Sequence, residues 1–184
     1  MNIFVKKLIY GGGLIFDLCR WIIVIVILLL LFFRFLFSIF VVDGESMEPN
    51  LHDKEVVILN NFHYNKHDPS RGDVVAVKYP GDPEHKKYVK RVIGLPGEKI
   101  SLENGKIYIN GVVFEERYIY YNIDTEPAKF TQKEWKLGAG EYFLMGDNRP
   151  FSNDSRYFGP VEKRFFEGKA VSVIFPRFHP VEDS

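Results

Sequence analysis

Residues 99–114 read KISLENGKIYINGVVF. Apolar and polar side chains alternate on both sides of Asn104-Gly105, and a second Asn-Gly follows at 110–111. Asn and Gly tolerate the positive φ that a two-residue hairpin turn requires, so this pattern predicts consecutive antiparallel strands. Outward from it, the same short apolar runs recur. Val56–Leu59, Asp73–Tyr79 and Tyr88–Ile93 precede it, and Glu141–Met145 and Ala170–Phe175 follow. No long stretch after residue 42 carries a helical period, so a mainly β fold built of antiparallel sheet is predicted. Residues 115–140 are polar and aromatic with no clean period, and read as a loop-rich excursion. NFHYNKHDPS at 61–70 also reads as loop.

The N-terminal part is of another kind. Trp21 to Phe33 is wholly apolar, and the run resumes after Arg34 to end at Val42. As a helix, residues 21–42 would measure about 33 Å, against about 30 Å of bilayer hydrocarbon. Arg34 can extend its head toward the far interface. Lys6, Lys7 and Arg20 precede the run against Asp17, which puts residues 1–20 in the cytoplasm. Residues 43–184 then lie outside, on a single uncleaved signal anchor. A removed signal peptide has a shorter apolar core and small residues at its cut, and Ile39 to Asp43 offers no small pair.

Composition narrows the function. The chain of 184 residues has 24 basic and 24 acidic side chains, a net charge of zero. Without a basic surplus, nucleic acid is not the expected partner. Cys19, the sole cysteine, excludes an internal disulfide and any cysteine-based zinc cluster. His63 and His67 are four apart, but no HExxH accompanies them, and no metal or cofactor is expected. The last Phe residues, Phe165, Phe166, Phe175 and Phe178, are expected in the core.

Two segments carry unusual chemistry. GESMEP at 44–49 follows the apolar run directly, and places Ser46 between a Gly and a Pro. YVKRVIGLPG at 88–97 sets Lys90 and Arg91 inside an otherwise apolar strand. Alternation sends Lys90 to the face opposite Val89 and Arg91.

With RGDVVAVKYP at 71–80 and GDNRPFSNDSRYFG at 146–159, these segments form four ordered motifs behind an N-terminal anchor. In this the sequence resembles bacterial type I signal peptidases (leader peptidases) of the small, single-spanning Gram-positive kind. The resemblance implies a membrane-bound serine endopeptidase that removes signal peptides from exported preproteins, cutting after small residues at −3 and −1. It implies Ser46 as nucleophile and Lys90 as general base, acting through an acyl-enzyme. Ser152 matches the serine that orients the lysine, Asp154 and Arg156 a supporting charged pair, and Asp147 and Arg91 another. Val42 and Val89 match walls of the substrate pockets, with Met47 and Tyr88 nearby. The implied partners are signal peptides and the lipid bilayer, with the secretion translocon close by. Gly44 stands where some members carry a hydroxyl that binds the oxyanion, so backbone N–H groups would have to serve. A binding protein of this kind would be expected to have lost Ser46 or Lys90, and both are present.

Overall fold

A computed structural model describes residues 3–79, 83, 86–119 and 133–183, with side chains of the first helix described from Phe16 onward. The chain divides into two units, Met1–Phe37 and Ser38–Ser184. The first is the helix α1, Ile3–Leu36. Its stretch Phe16–Leu36 is long and apolar enough to cross a membrane. From Phe16 to Phe35 its side chains are exposed, as suits a helix whose apolar surface faces lipid.

The helix stops short of the predicted span. Phe37–Val41, read from sequence as the end of the apolar helix, is instead the strand β1. Its backbone pairs with β2, Val56–Asn60, and Ser38 Oγ donates to Asn61 Oδ1 at 2.7 Å. Phe40 packs onto a core cluster. Sheet hydrogen bonds and that contact outweigh continuation of the helix.

Beyond β1 and β2, the second unit is built of antiparallel strands, of which those at Glu134–Lys136, Val161–Glu162 and His179–Pro180 were not expected from the sequence. In chain order the strands are β3 (Val74–Lys78), β4 (Lys87–Gly94), β5 (Lys99–Glu103), β6 (Lys106–Ile109), β7 (Val112–Val113), β8 (Glu134–Lys136), β9 (Glu141–Met145), β10 (Val161–Glu162), β11 (Phe166–Phe175) and β12 (His179–Pro180). Among the described residues, one sheet runs β1-β2-β11-β3-β4-β9-β10 with β12 on β11, and a smaller one runs β7-β6-β5-β8. Every pair with a defined register is antiparallel. Asn104 and Gly105 form the β5–β6 turn, both with positive φ. The excursion at 115–140 contains the strand β8, whose Trp135 packs against Phe143 in the core; residues 120–132 lie outside the described residues. The segment at 61–70 is not all loop either. His63–Lys66 makes one turn of helix, α2, fixed by burial of Tyr64. The tail aromatics divide: Phe165 and Phe166 pack on the core, whereas Phe175 and Phe178 are exposed.

Strand β4 lies within the larger sheet, between β3 and β9. From Val89 to Gly94 every residue is buried. Lys90 and Arg91 are thus carried into the interior by the hydrogen-bonded strand itself. Val75 sits opposite Lys90, and Tyr88 and Val92 flank it on the same face.

Candidate active site

Ser46 sits in a turn that leaves β1 and is fixed at both ends. Gly44 adopts φ 97°, and its N–H donates to Asp53 Oδ1 at 2.7 Å. Only glycine takes that backbone region without strain. The N–H groups of Asn50 and Leu51 both donate to the Met47 carbonyl, and the side chains of Met47 and Leu51 are buried in the core. From the other side, the Asn148 N–H donates to the Ser46 carbonyl at 3.1 Å, and its Nδ2 to the Glu45 carbonyl at 3.0 Å. The turn is held by its own backbone, by the core and by a second loop.

Lys90 reaches this turn from β4, with its Nζ 2.6 Å from Ser46 Oγ. The side chain is 2% exposed. Burial strips the ammonium of water and pulls its pKa down to about 8, against the opposing pull of Asp154 and Asp147; Arg156 lowers it further. A lysine so placed is neutral in about one molecule in ten at pH 7. It can accept a proton that an exposed lysine, with a pKa of about 10.4, could not.

The second loop runs from Gly146 to Arg156. Gly146 lies so close to the Ser46 carbonyl and the Ser152 side chain that a Cβ would strike both. Its N–H donates to Asp154 Oδ2 at 3.1 Å. Asp154 also receives Arg156, Nε at 2.8 Å and Nη2 at 2.9 Å, together with the Arg156 N–H that it caps at the start of a short helix, α3 (Ser155–Phe158). Asp147 takes Arg91 in a two-pronged bond, both arms 2.8 Å, and accepts Asn50 Nδ2 at 2.8 Å. The remaining Nη1 of Arg91 donates to the carbonyls of Gly72 and Glu182. These charges are buried, and each is met by an opposite one, which is what makes their burial tolerable.

The sequence-named residues therefore gather as follows. Ser46 and Lys90 are in direct contact, and Asp147–Arg91 and Asp154–Arg156 are both ion pairs. Ser152 is buried beside Gly146, but its Oγ has no hydrogen-bond partner among the described residues. The expected bond from Ser152 to the lysine is thus not among those formed. Val42, Met47 and Val89 share one buried cluster. Tyr88 packs against a different one, and Lys90 Nζ lies 5.9 Å from its ring centre.

Sequence reading did not single out Arg149, Asn148 or Glu116. Arg149 is fully buried, and its Nε donates to the Gly146 carbonyl at 3.0 Å. Its guanidinium is gripped by Glu116, with Nη1 to Oε2 at 2.7 Å and Nη2 to Oε1. Arg149 and Asn148 lie inside the quoted motif GDNRPF. Glu116 lies in the unreadable stretch, and no local pattern marks it.

Comparison with known proteins gives the chain's family. Residues 15–175 match the family described as signal peptidase, peptidase S26. Signal peptidase I of Bacillus amyloliquefaciens is 41% identical over 151 residues, 78% of either chain. Signal peptidase IB of Staphylococcus aureus is 31% identical over 176 residues, 87% of this chain and 91% of its own. A crystal structure of a signal peptidase I from Enterococcus faecalis is 34% identical and covers 56% of this chain and 97% of its own, at a TM-score of 0.45. The family match takes in the apolar helix from residue 15, the Ser46 turn, β4 and the Gly146–Arg156 loop together. The chain belongs to the signal peptidase family, peptidase S26, and is a serine endopeptidase of that family.

Proposed function

We propose that this peptidase cleaves signal peptides from exported preproteins with Ser46 as nucleophile and Lys90 as general base. The observation that carries the reading is the 2.6 Å approach of a buried lysine to the serine oxygen. Neutral Lys90 takes the Ser46 hydroxyl proton as Oγ attacks the scissile carbonyl carbon. The resulting ammonium gives that proton to the departing amine, and the signal peptide is left as an ester on Ser46. Lys90 then takes a proton from water, whose oxygen attacks the ester. Oγ leaves with the proton, and the free signal peptide is released. The Ser46 N–H makes no hydrogen bond among the described residues, which leaves it free to donate to the oxyanion.

The substrate binds as an extended strand, its −1 and −3 side chains toward walls built on Val42, Val89 and Met47. With those walls packed into the core, shallow pockets accept Ala and exclude larger groups on sterics. The apolar helix anchors the enzyme in the cell membrane as a single pass. Lys6, Lys7 and Arg20 keep its N-terminus in the cytoplasm, and the peptidase unit works on the other side, near the secretion translocon.

The test is cleavage of a fluorogenic peptide spanning an Ala-x-Ala site by the full chain in detergent, from about pH 6 to about pH 10. Wild-type kcat/KM should rise with a midpoint near the Lys90 pKa of about 8. Ser46→Ala and Lys90→Ala should each lose about a thousandfold or more. Cleavage that survives Lys90→Ala would overturn the lysine base.

A further inference from the structure

Gly146 is where the Ser46 turn and the second loop come closest to a clash, since a Cβ there would meet both the Ser46 carbonyl and the Ser152 side chain. Both of its backbone polar groups are held. Asp154 accepts its N–H, and Arg149 Nε donates to its carbonyl. Arg149 can hold that carbonyl only while its own guanidinium is oriented, and the two-pronged bond to Glu116 orients it. Glu116 comes from neither the Ser46 turn, β4 nor the Gly146 loop. It follows β7 of the smaller sheet.

The stretch around Glu116 touches the site's supports at two more places. The Tyr118 ring lies 4.2 Å beneath the Arg91 guanidinium, and the Tyr118 carbonyl accepts Asn50 Nδ2 at 2.6 Å. Tyr118 Oη also bonds Glu116, at 2.5 Å. Charge bookkeeping leads to the same residue. Arg91, Arg149 and Arg156 are buried cations, and Asp147 and Asp154 neutralise two of them. Glu116, whose side chain is 5% exposed, neutralises the third.

We propose that Glu116 is a positioning residue for cleavage: through Arg149 it holds the Gly146 carbonyl, and with it the backbone against which Ser46 and Ser152 are set. This rests on the Ser46–Lys90 reading. The charged groups that face Lys90 are Asp154, Asp147 and Arg156, and Glu116 is not one of them. Its loss should therefore change how well the site is aligned without changing when Lys90 loses its proton.

The experiment is steady-state cleavage by full-length Glu116→Gln beside wild type and Ser46→Ala, over the same pH range, with thermal unfolding of each. Wild-type cleavage that Ser46→Ala abolishes establishes the reading on which the proposal rests, independently of Glu116. Expected for Glu116→Gln is a kcat lower by about tenfold, KM within about twofold, and an unmoved midpoint of the acid limb. Because Glu116→Gln leaves Arg149 buried without its carboxylate, the double variant Glu116→Gln/Arg149→Met serves if the single one does not fold. Replacing both members of a buried pair is often tolerated. Its kcat should be as low as that of the single variant. Three results would overturn the proposal: wild-type kcat in folded Glu116→Gln, wild-type kcat in the double variant, or a kcat loss accompanied by an acid limb moved to higher pH. The last would mean that water had reached Lys90 through a loosened core.

Discussion

Lys90 Nζ and Ser46 Oγ stand 2.6 Å apart although 44 positions separate them in the chain. A strand interior supplies one and a clamped turn the other. The strand that delivers Lys90 also removes it from water, so its lowered pKa and its burial have a single cause. That cause has a thermodynamic cost, which can be measured.

In the folded chain the Lys90 pKa is about 8, below its ordinary 10.5. Between those values the unfolded chain holds a proton that the folded chain has released, so wild-type stability rises with pH across that window. Below about pH 8 the full penalty applies, about 3 kcal/mol. Lys90→Met, similar in length, should be more stable than wild type at pH 7 by up to that amount. The difference should shrink toward pH 10.5. Denaturant unfolding of both proteins at two pH values checks this, and an equal gap at both would contradict a depressed lysine.

Asp154 receives Arg156 through both arms and also holds the Gly146 N–H. Asp154→Asn leaves Arg156 in the interior without its carboxylate, at a cost of about 3–5 kcal/mol. The same carboxylate is the largest influence that raises the Lys90 pKa. The residual activity of Asp154→Asn should therefore have its acid limb at lower pH than wild type. A pH profile with the limb unmoved or higher would contradict that electrostatic coupling.

Ser152 Oγ is buried with no hydrogen-bond partner among the described residues. An unsatisfied hydroxyl in that position is a burden on the fold, so Ser152→Ala should unfold at the same denaturant concentration or higher, gaining about 1 kcal/mol. If the hydroxyl also steadies Lys90 when substrate binds, kcat should fall by about tenfold in the same variant. Stability and rate would then move in opposite directions. A loss of stability in Ser152→Ala would show that the hydroxyl is already satisfied.

The strands were legible because their side chains alternate or run apolar between turn residues, as in the Asn104-Gly105 hairpin. Phe37–Val41 was not. Its apolar residues continue the helix without a break, and only pairing with β2 separates the two. Glu134–Lys136 is too short to show a period. In the site, alternation alone set Lys90 apart from Arg91, and the shared motifs named the remaining supports. Glu116 was beyond reach, because its partner Arg149 lies 33 positions away and the bond exists only after two sheets have formed. A carboxylate in a polar stretch looks like solvated surface until the fold encloses it.

The buried arginine–carboxylate pairs also determine how the site responds to salt. Counter-ions screen charges over about 8–10 Å at physiological ionic strength, but only where solvent can enter. Outer pairs such as Lys54–Asp43 and Arg164–Glu162 are open to it and should fade as salt is added. Arg91–Asp147, Arg149–Glu116 and Arg156–Asp154 are closed to it. A peptidase built this way keeps its internal alignment across a wide range of ionic strength, and salt acts on its surface rather than on the Ser46–Lys90 contact.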